Sequence, residues 1–141
     1  MRQESTLSVN ADLSVLSDVR EFLLSFIQAL KLDKSEVYDL ELAIDEAVTN
    51  IILHGYQDQS GTIEVTAILD NETLEIRLRD NARQFDPTSI PRPSLDTPAE
   101  QRPSGGGVGV FLMHKGLDCI SYRVTSSGGN ELSMFKNVSK A

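Results

Sequence analysis

Glu46 and Asn50 place a carboxylate and a carboxamide four residues apart within the stretch DEAVTN, residues 45–50. On a helix this spacing puts both side chains on one face, separated by one turn of about 5.4 Å. Leu42 and Leu53 share that side of the helix, so the polar pair has apolar neighbours. We interpret this face as the wall of a site. The alternative is that Glu46 and Asn50 are merely exposed polar residues on a solvated face. The pattern of the helix, taken alone, favours this alternative.

Asp80 ends the alternating run TLEIRLRD, residues 73–80, and opens the stretch DNARQFDP, residues 80–87. A carboxylate at the end of a strand can accept a hydrogen bond from an exocyclic amine such as that of adenine. An Asp-Asn dipeptide is also common in turns, so a turn-forming role remains open.

Residues 104–115, SGGGVGVFLMHK, join a glycine-rich loop to the start of a predicted helix. Glycines let the backbone approach an anion, and the free amides at a helix start stabilise phosphate charge. No Lys-Ser or Lys-Thr follows the glycines, so the Walker pattern is absent. The loop also does not follow the first strand of a βαβ unit, which disfavours a dinucleotide fold. A lid that binds no ligand is the alternative.

The first of these segments lies on the second of two predicted helices. Apolar residues at helical intervals predict a helix near residues 12–31 and a second that ends at about His54, with Gly55 as its left-handed stop. The candidate caps are Asn10, Asp12 or Ser14 for the first helix, and Asp33 or Ser35 for the second.

Five strands are predicted, at residues 4–10, 62–69, 73–80, 119–126 and 130–138. Turn residues separate the members of two antiparallel hairpins, Asp70-Asn71-Glu72 in the first and Gly128-Gly129 in the second. All five prolines fall in residues 86–109, which predicts a long functional or mobile loop, and residues 108–118 predict a short helix.

This order of elements predicts an α+β fold. Helices should cover one face of a mixed, mostly antiparallel sheet in a two-layer sandwich, and residues 1–141 should form a single domain. Strands that follow each other without a crossover helix argue against a doubly wound parallel sheet.

Composition excludes several classes of partner. Acidic residues outnumber Lys and Arg by 21 to 13, and a net charge of −8 disfavours nucleic acid or an anionic membrane as the main ligand. The lone Cys119 cannot form an internal disulfide, and no signal peptide or spanning segment is evident, so we expect a cytoplasmic protein.

The combined motifs resemble the anti-sigma factor serine/threonine kinases, which share an ATP-binding superfamily with gyrase, the heat-shock chaperone, histidine kinases and mismatch-repair ATPases. ELAIDEAVTNIILHGY resembles the N box, DNARQFDP the first glycine box, GGVGVFLMHKGLD the second, and GGNELSMFK the last strand. The resemblance spans essentially the whole chain, and the combination is more specific than any one motif.

The resemblance implies ATP and Mg²⁺ as cofactors. Asn50 would hold Mg²⁺, Glu46 would be the base that deprotonates a serine or threonine hydroxyl, and Asp80 would select adenine. Gly105, Gly107 and Gly109 would belong to a lid over the phosphates. The further cofactor-binding positions that it implies within the glycine boxes are Phe85 and Val108.

Ala82 departs from the first glycine box, in which the family usually has glycine two residues after the aspartate. Alanine tolerates fewer backbone conformations than glycine, so the departure bears on ATP affinity more than on the fold. Asp45 points about 100° away from Glu46 and is expected to be a structural or supporting group. His54 and His114 lack partners at metal-ligand spacing, and we expect both to be packing or surface residues.

The leading hypothesis is therefore an ATP- and Mg²⁺-dependent protein serine kinase. As the family implies, it would phosphorylate an anti-sigma factor antagonist and sequester a sigma factor. Family members often form dimers, and an apolar patch on the first helix would be the place to look for a dimer contact. A nucleotide-binding, partner-switching module without kinase activity is the alternative, and an autonomous ATPase is a third reading.

Overall fold

In a computed structural model, residues 2–57, 59–84 and 117–138 are described. They form strand β1 (Arg2–Asn10), a 3₁₀ turn (Leu13–Val15), helix α1 (Leu16–Ile27) and helix α2 (Lys34–Asn50), which continues as a π-helix (Ile51–Tyr56). Strands β2 (Thr62–Asp70), β3 (Thr73–Asp80), β4 (Cys119–Val124) and β5 (Asn130–Asn137) follow. None of the helices among these residues has the length and apolarity needed to span a membrane.

The five described strands form one sheet in the order β1-β2-β3-β5-β4, and all four ladders between neighbours are antiparallel. Alternate residues of β2 and β3 enter a core that also contains the buried faces of both helices. The predicted α+β sandwich, with helices on one face of the sheet, is therefore confirmed. The buried core residues of the helices are Val19, Leu23, Ile27, Leu40, Ala43, Ile44, Ala47 and Val48.

The first helix is shorter than the predicted range of 12–31. Asp12 accepts a hydrogen bond from the Ser14 amide at 3.0 Å and caps a 3₁₀ turn, so the α-helix begins only at Leu16. At the other end the Leu30 amide donates to the Ile27 carbonyl at 2.9 Å. This three-residue spacing tightens the chain into a turn and ends the helix.

Gly55 is not the left-handed stop of the second helix, so that prediction is wrong. The helix changes to π-helical hydrogen bonding after Asn50, as the Gln57 amide donates to the Ile52 carbonyl at 3.2 Å. The left-handed residue is Gln57, at φ 53°. Gly55 is instead buried within the π-helix.

The predicted strands and turns agree closely with the structure. Strand β1 starts two residues earlier than predicted, at Arg2, and pairs along its whole length with β2. Strand β4 ends at Val124, two residues before the predicted end, because Thr125 begins the hairpin turn with an amide bond to the Gly129 carbonyl at 2.9 Å. Gly128 in that turn has a φ of +90°, which favours glycine. The predicted helix at residues 108–118 and most of the loop at 86–109 lie outside the described residues.

Helix α2 is started by a reciprocal pair of hydrogen bonds. Asp33 accepts from the Glu36 amide at 2.8 Å, and Glu36 accepts from the Asp33 amide at 3.3 Å. This capping box satisfies two backbone donors that would otherwise lack partners at the helix start. Of the two candidate caps in the sequence, the helix therefore uses Asp33 and not Ser35.

An Asp33→Ala substitution should lower the free energy of unfolding by about 1 kcal/mol, because the Glu36 amide would lose its acceptor. Ser35→Ala, two residues further along the chain, should change it by less than about 0.5 kcal/mol. Urea unfolding followed by circular dichroism measures both values. Equal losses for the two variants would contradict the assignment of the cap.

Candidate functional site

A small cavity lies where the end of α2 meets the ends of β3 and β5. Its volume is about 20 Å³, which is room for about one water molecule. Two residues singled out in the sequence, Asn50 and Asp80, line it together. The full lining is Ala47, Asn50, Ile51, Asp80, Tyr122, Asn130 and Leu132. The fold thus brings the amide of Asn50 and the strand-end carboxylate of Asp80, which are far apart in the chain, to one cavity.

Asn50 is a buried amide that folding leaves incompletely bonded. Its side chain is 3% exposed, and its Nδ2 atom has no hydrogen-bond partner among the residues that the structure describes. Leaving such a donor unpaired costs about 1–3 kcal/mol. A buried polar group without a partner points to a ligand or a bound water, and it excludes the exposed, solvated alternative for Asn50.

Asp80 is a buried carboxylate held by one of its two oxygens. Oδ1 accepts from the Ala82 amide at 2.9 Å and from Asn130 Nδ2 at 2.8 Å. Burial raises the pKa of Asp80, and the hydrogen bonds from Asn130 and Ala82 oppose that rise. Among the described residues both donors go to Oδ1 and none to Oδ2, so Oδ2 remains an acceptor for a donor group from a ligand.

Asn130 holds the carboxylate of Asp80 in place, although it was not among the site residues predicted from the sequence. Asn130 is paired with Asp80 in the β3–β5 ladder, and its Nδ2 also lies 3.2 Å from the Ala82 carbonyl and 3.1 Å from the Arg83 carbonyl. Its Oδ1 accepts from the Tyr122 hydroxyl. Asn130 directly follows the Gly128-Gly129 turn, and this position at the start of a strand was the available signal.

Gly129 allows β5 to approach Asp80 closely. A Cβ atom at this position would overlap the Asp80 carbonyl oxygen and lie 2.8 Å from Asn81 Oδ1. No larger residue fits without moving the backbone that carries the carboxylate.

Glu46 lies one helical turn before Asn50 and is half-buried. Burial is the main cause that raises its pKa; His54 opposes the rise by Coulomb attraction, and Asp45 adds to it by repulsion. Glu46 does not line the small cavity among the described residues. A carboxylate with a raised pKa on the same helix face is suited to proton transfer near the site.

Asp45 has the structural role expected for it. Both of its oxygens lie 3.0 Å from Arg20 Nε, so the pair ties α2 to α1. The Asp45 carboxylate is therefore paired with Arg20.

Ala82 fits its position without backbone strain. The non-glycine residues with positive φ among the described residues are Gln57 and Asn71, so Ala82 has an ordinary conformation. Gly55 makes room for it, because a Cβ atom at Gly55 would lie 3.0 Å from the Ala82 Cβ. Ala82, which replaces the usual glycine of the first glycine box, is thus accommodated because the facing helix residue, Gly55, has no side chain.

The remaining predicted site residues fall on parts of the chain outside the described residues. They are Phe85, Gly105, Gly107, Val108 and Gly109, together with His114 of the same segment.

Comparison with known proteins gives consistent results. A family model described as "Histidine kinase-like ATPase domain" matches residues 9–136. An anti-sigma F factor of Anoxybacillus flavithermus is 26% identical and is covered over 97% of its length by the whole of this chain. A serine-protein kinase RsbW of Bacillus cereus is 33% identical over 89 residues, which are 60% of this chain and 55% of that protein.

Among solved structures, the crystal structure of the RsbU and RsbW domains of a Mycobacterium tuberculosis protein matches with a TM-score of 0.63 at 22% identity. The match covers 98% of this chain and 32% of that one. At this identity the likeness concerns the fold alone.

Two buried asparagines provide a matched test of the site. Asn130→Ala should lower the free energy of unfolding by about 1–3 kcal/mol, because Asp80 and Tyr122 would lose a buried partner. Asn50→Ala should change it by less than about 1 kcal/mol, because Nδ2 has no hydrogen bond to any of the described residues that could be lost. Chemical unfolding measures both variants. A loss for Asn50→Ala as large as that for Asn130→Ala would show that Asn50 serves the fold.

Proposed function

We propose that this chain, which belongs to the family of histidine kinase-like ATPase domains, is an ATP- and Mg²⁺-dependent protein serine/threonine kinase that acts as an anti-sigma regulatory factor. Membership confirms the superfamily expected from the N box and the glycine boxes. The observation that carries the proposal is the shared cavity, which is lined by Asn50 and Asp80. Within the described part of the chain, the buried Asn50 Nδ2 has no hydrogen-bond partner, and Asp80 accepts hydrogen bonds through Oδ1 alone.

Asp80 is the proposed adenine-selecting residue. With Oδ1 fixed by Asn130 and Ala82, the carboxylate cannot rotate freely and presents Oδ2 to the exocyclic amine of the base. A purine with a keto oxygen at that position would place two acceptors against each other. Adenine is therefore favoured over guanine.

Asn50 is the proposed metal-holding residue. An amide oxygen is a suitable ligand for Mg²⁺, which usually takes few protein ligands together with phosphate oxygens. Phosphate oxygens of the nucleotide would supply much of the remaining coordination of the ion. When bound, Mg²⁺ neutralises charge on the phosphates during transfer.

Glu46 is the proposed general base. It would accept the proton of the incoming serine or threonine hydroxyl while that oxygen forms a bond to the γ-phosphorus and ADP departs. The pKa of Glu46 is raised and so lies closer to neutral pH than that of an ordinary glutamate. A base with such a pKa accepts a proton more effectively. The proposed site is completed by Phe85, Gly105, Gly107, Val108 and Gly109, with the three glycines in a lid over the phosphates.

The proposed partners are an anti-sigma factor antagonist as the protein substrate and a sigma factor as the sequestered protein. The names of the relatives, anti-sigma F factor and serine-protein kinase, support this pairing. We also propose a cytoplasmic location, a single domain and a homodimer of the kind that family members often form.

Replacement of the base separates the kinase from a binding module without kinase activity. Glu46→Gln should slow phosphoryl transfer from radiolabelled ATP to the antagonist protein by about 10²- to 10⁴-fold. Glu41→Gln on the same helix should transfer at the wild-type rate, because Glu41 is not part of the proposed site. Full activity of Glu46→Gln would contradict the role of the base. A wild-type protein that binds ATP but transfers nothing would establish the module instead.

The raised pKa values of Asp80 and Glu46 predict two separate losses as the pH falls. Protonated Asp80 can no longer act purely as an acceptor, so Mg·ATP affinity should fall as the pH drops through its raised pKa. The transfer rate at saturating ATP should fall through the raised pKa of Glu46, because protonated Glu46 cannot act as a base. Dissociation constants and single-turnover rates measured from about pH 8 down to about pH 4, the ordinary carboxyl range, test both. Glu46→Gln should lose the rate dependence and keep the affinity dependence; persistence of both would contradict the assignment.

A further inference from the structure

We propose that Tyr56 is a positioning residue for Asp80 and so sets the preference of the site for adenine over guanine; this inference rests on the proposed function. Tyr56 is the last residue of the π-helix that continues α2. Its hydroxyl donates to the Thr62 carbonyl at 2.6 Å and accepts from the Asn81 amide at 3.0 Å. One phenol thus bridges the helix end, the start of β2 and the residue immediately after Asp80.

The ring of Tyr56 is held in a fixed place. The residue is buried, and Gly61 leaves the space that the ring occupies, because a Cβ atom at Gly61 would overlap the ring carbons. A buried hydroxyl that both donates and accepts has little freedom to rotate. The position of the Asn81 amide is therefore set by the helix.

Two further contacts join the same pair of segments. Arg83 Nε donates to the His54 carbonyl at 2.7 Å, and Ala82 packs against Gly55. Residues 54–56 at the helix end thus contact residues 81–83 directly after Asp80. Helix α2, which carries Asn50, and the strand end that carries Asp80 are connected by these contacts as well as by the sheet.

The Tyr56 hydroxyl is the contact in this set that can be deleted with little change of shape. Tyr56→Phe retains the ring and its packing but leaves the Asn81 amide and the Thr62 carbonyl without their partner. Asn81 would then be free to shift, and Asp80 next to it would lose part of the constraint that directs Oδ2. Discrimination against the keto group of guanine depends on that direction, whereas general affinity for the phosphates does not.

The test compares Tyr56→Phe with Tyr38→Phe, since Tyr38 lies on α2 with 62% of its surface exposed. Dissociation constants for Mg·ATP and Mg·GTP are measured by competition for a fluorescent nucleotide analogue. We expect the ATP-to-GTP preference to fall by about fivefold or more in Tyr56→Phe and to stay unchanged in Tyr38→Phe. Amide hydrogen exchange, measured without nucleotide, should be at least about tenfold faster at Asn81 in Tyr56→Phe alone.

A purely structural role would lower the melting temperature of Tyr56→Phe and keep the nucleotide preference of the wild type. That result, or unchanged exchange at Asn81, would overturn the inference and leave the proposed function intact. A wild-type protein that binds neither nucleotide would overturn the proposed function, and the inference with it.

Discussion

The candidate site depends on the buried carboxylate of Asp80. It ends β3 at the point where the sheet, the helix end and the β4–β5 turn converge, and Asn130 and Ala82 satisfy only one of its oxygens. This arrangement requires the Asp80–Asn130 register of the β3–β5 ladder and the absence of a side chain at Gly129. The remaining oxygen is the part of the group that can serve a ligand.

The described carboxyl groups with shifted pKa values are of two physical types. Glu131, on the strand next to β3, is buried but accepts hydrogen bonds from Arg123 and, at 2.6 Å, from Arg79. The bond from Arg123 above all, and that from Arg79, lower its pKa against the opposing effect of burial. Asp80 and Glu46 show the opposite direction, because burial outweighs their partners and raises their pKa values. Carboxylates whose ionised form is incompletely compensated are typical of functional sites, while the paired Glu131 is typical of a structural ion pair.

Local patterns in the sequence predicted most of the fold. The alternation of β2 and β3 and the turn residues Asn71 and Gly128 gave the two hairpins, since each depends on neighbours in the chain. The end of α2 was predicted less well: Gly55 reads as a stop, but its role is to accommodate Ala82, a contact between residues distant in the chain.

The candidate site divides in the same way. Asn50 and Asp80 were recognisable from their local motifs and their family resemblance. Asn130, Tyr122 and Tyr56 were missed because their roles arise from strand register and from contacts across the sheet. No single-sequence pattern encodes such long-range pairing.

Calorimetric titration with Mg·ATP tests the central claim most directly, namely that nucleotide binds between Asn50 and Asp80. The account predicts saturable binding to the wild-type chain. It also predicts at least about tenfold weaker binding for both Asn50→Ala and Asp80→Asn, each retaining the wild-type circular dichroism spectrum. Absence of binding to the wild type, or undiminished affinity in both folded variants, would contradict it.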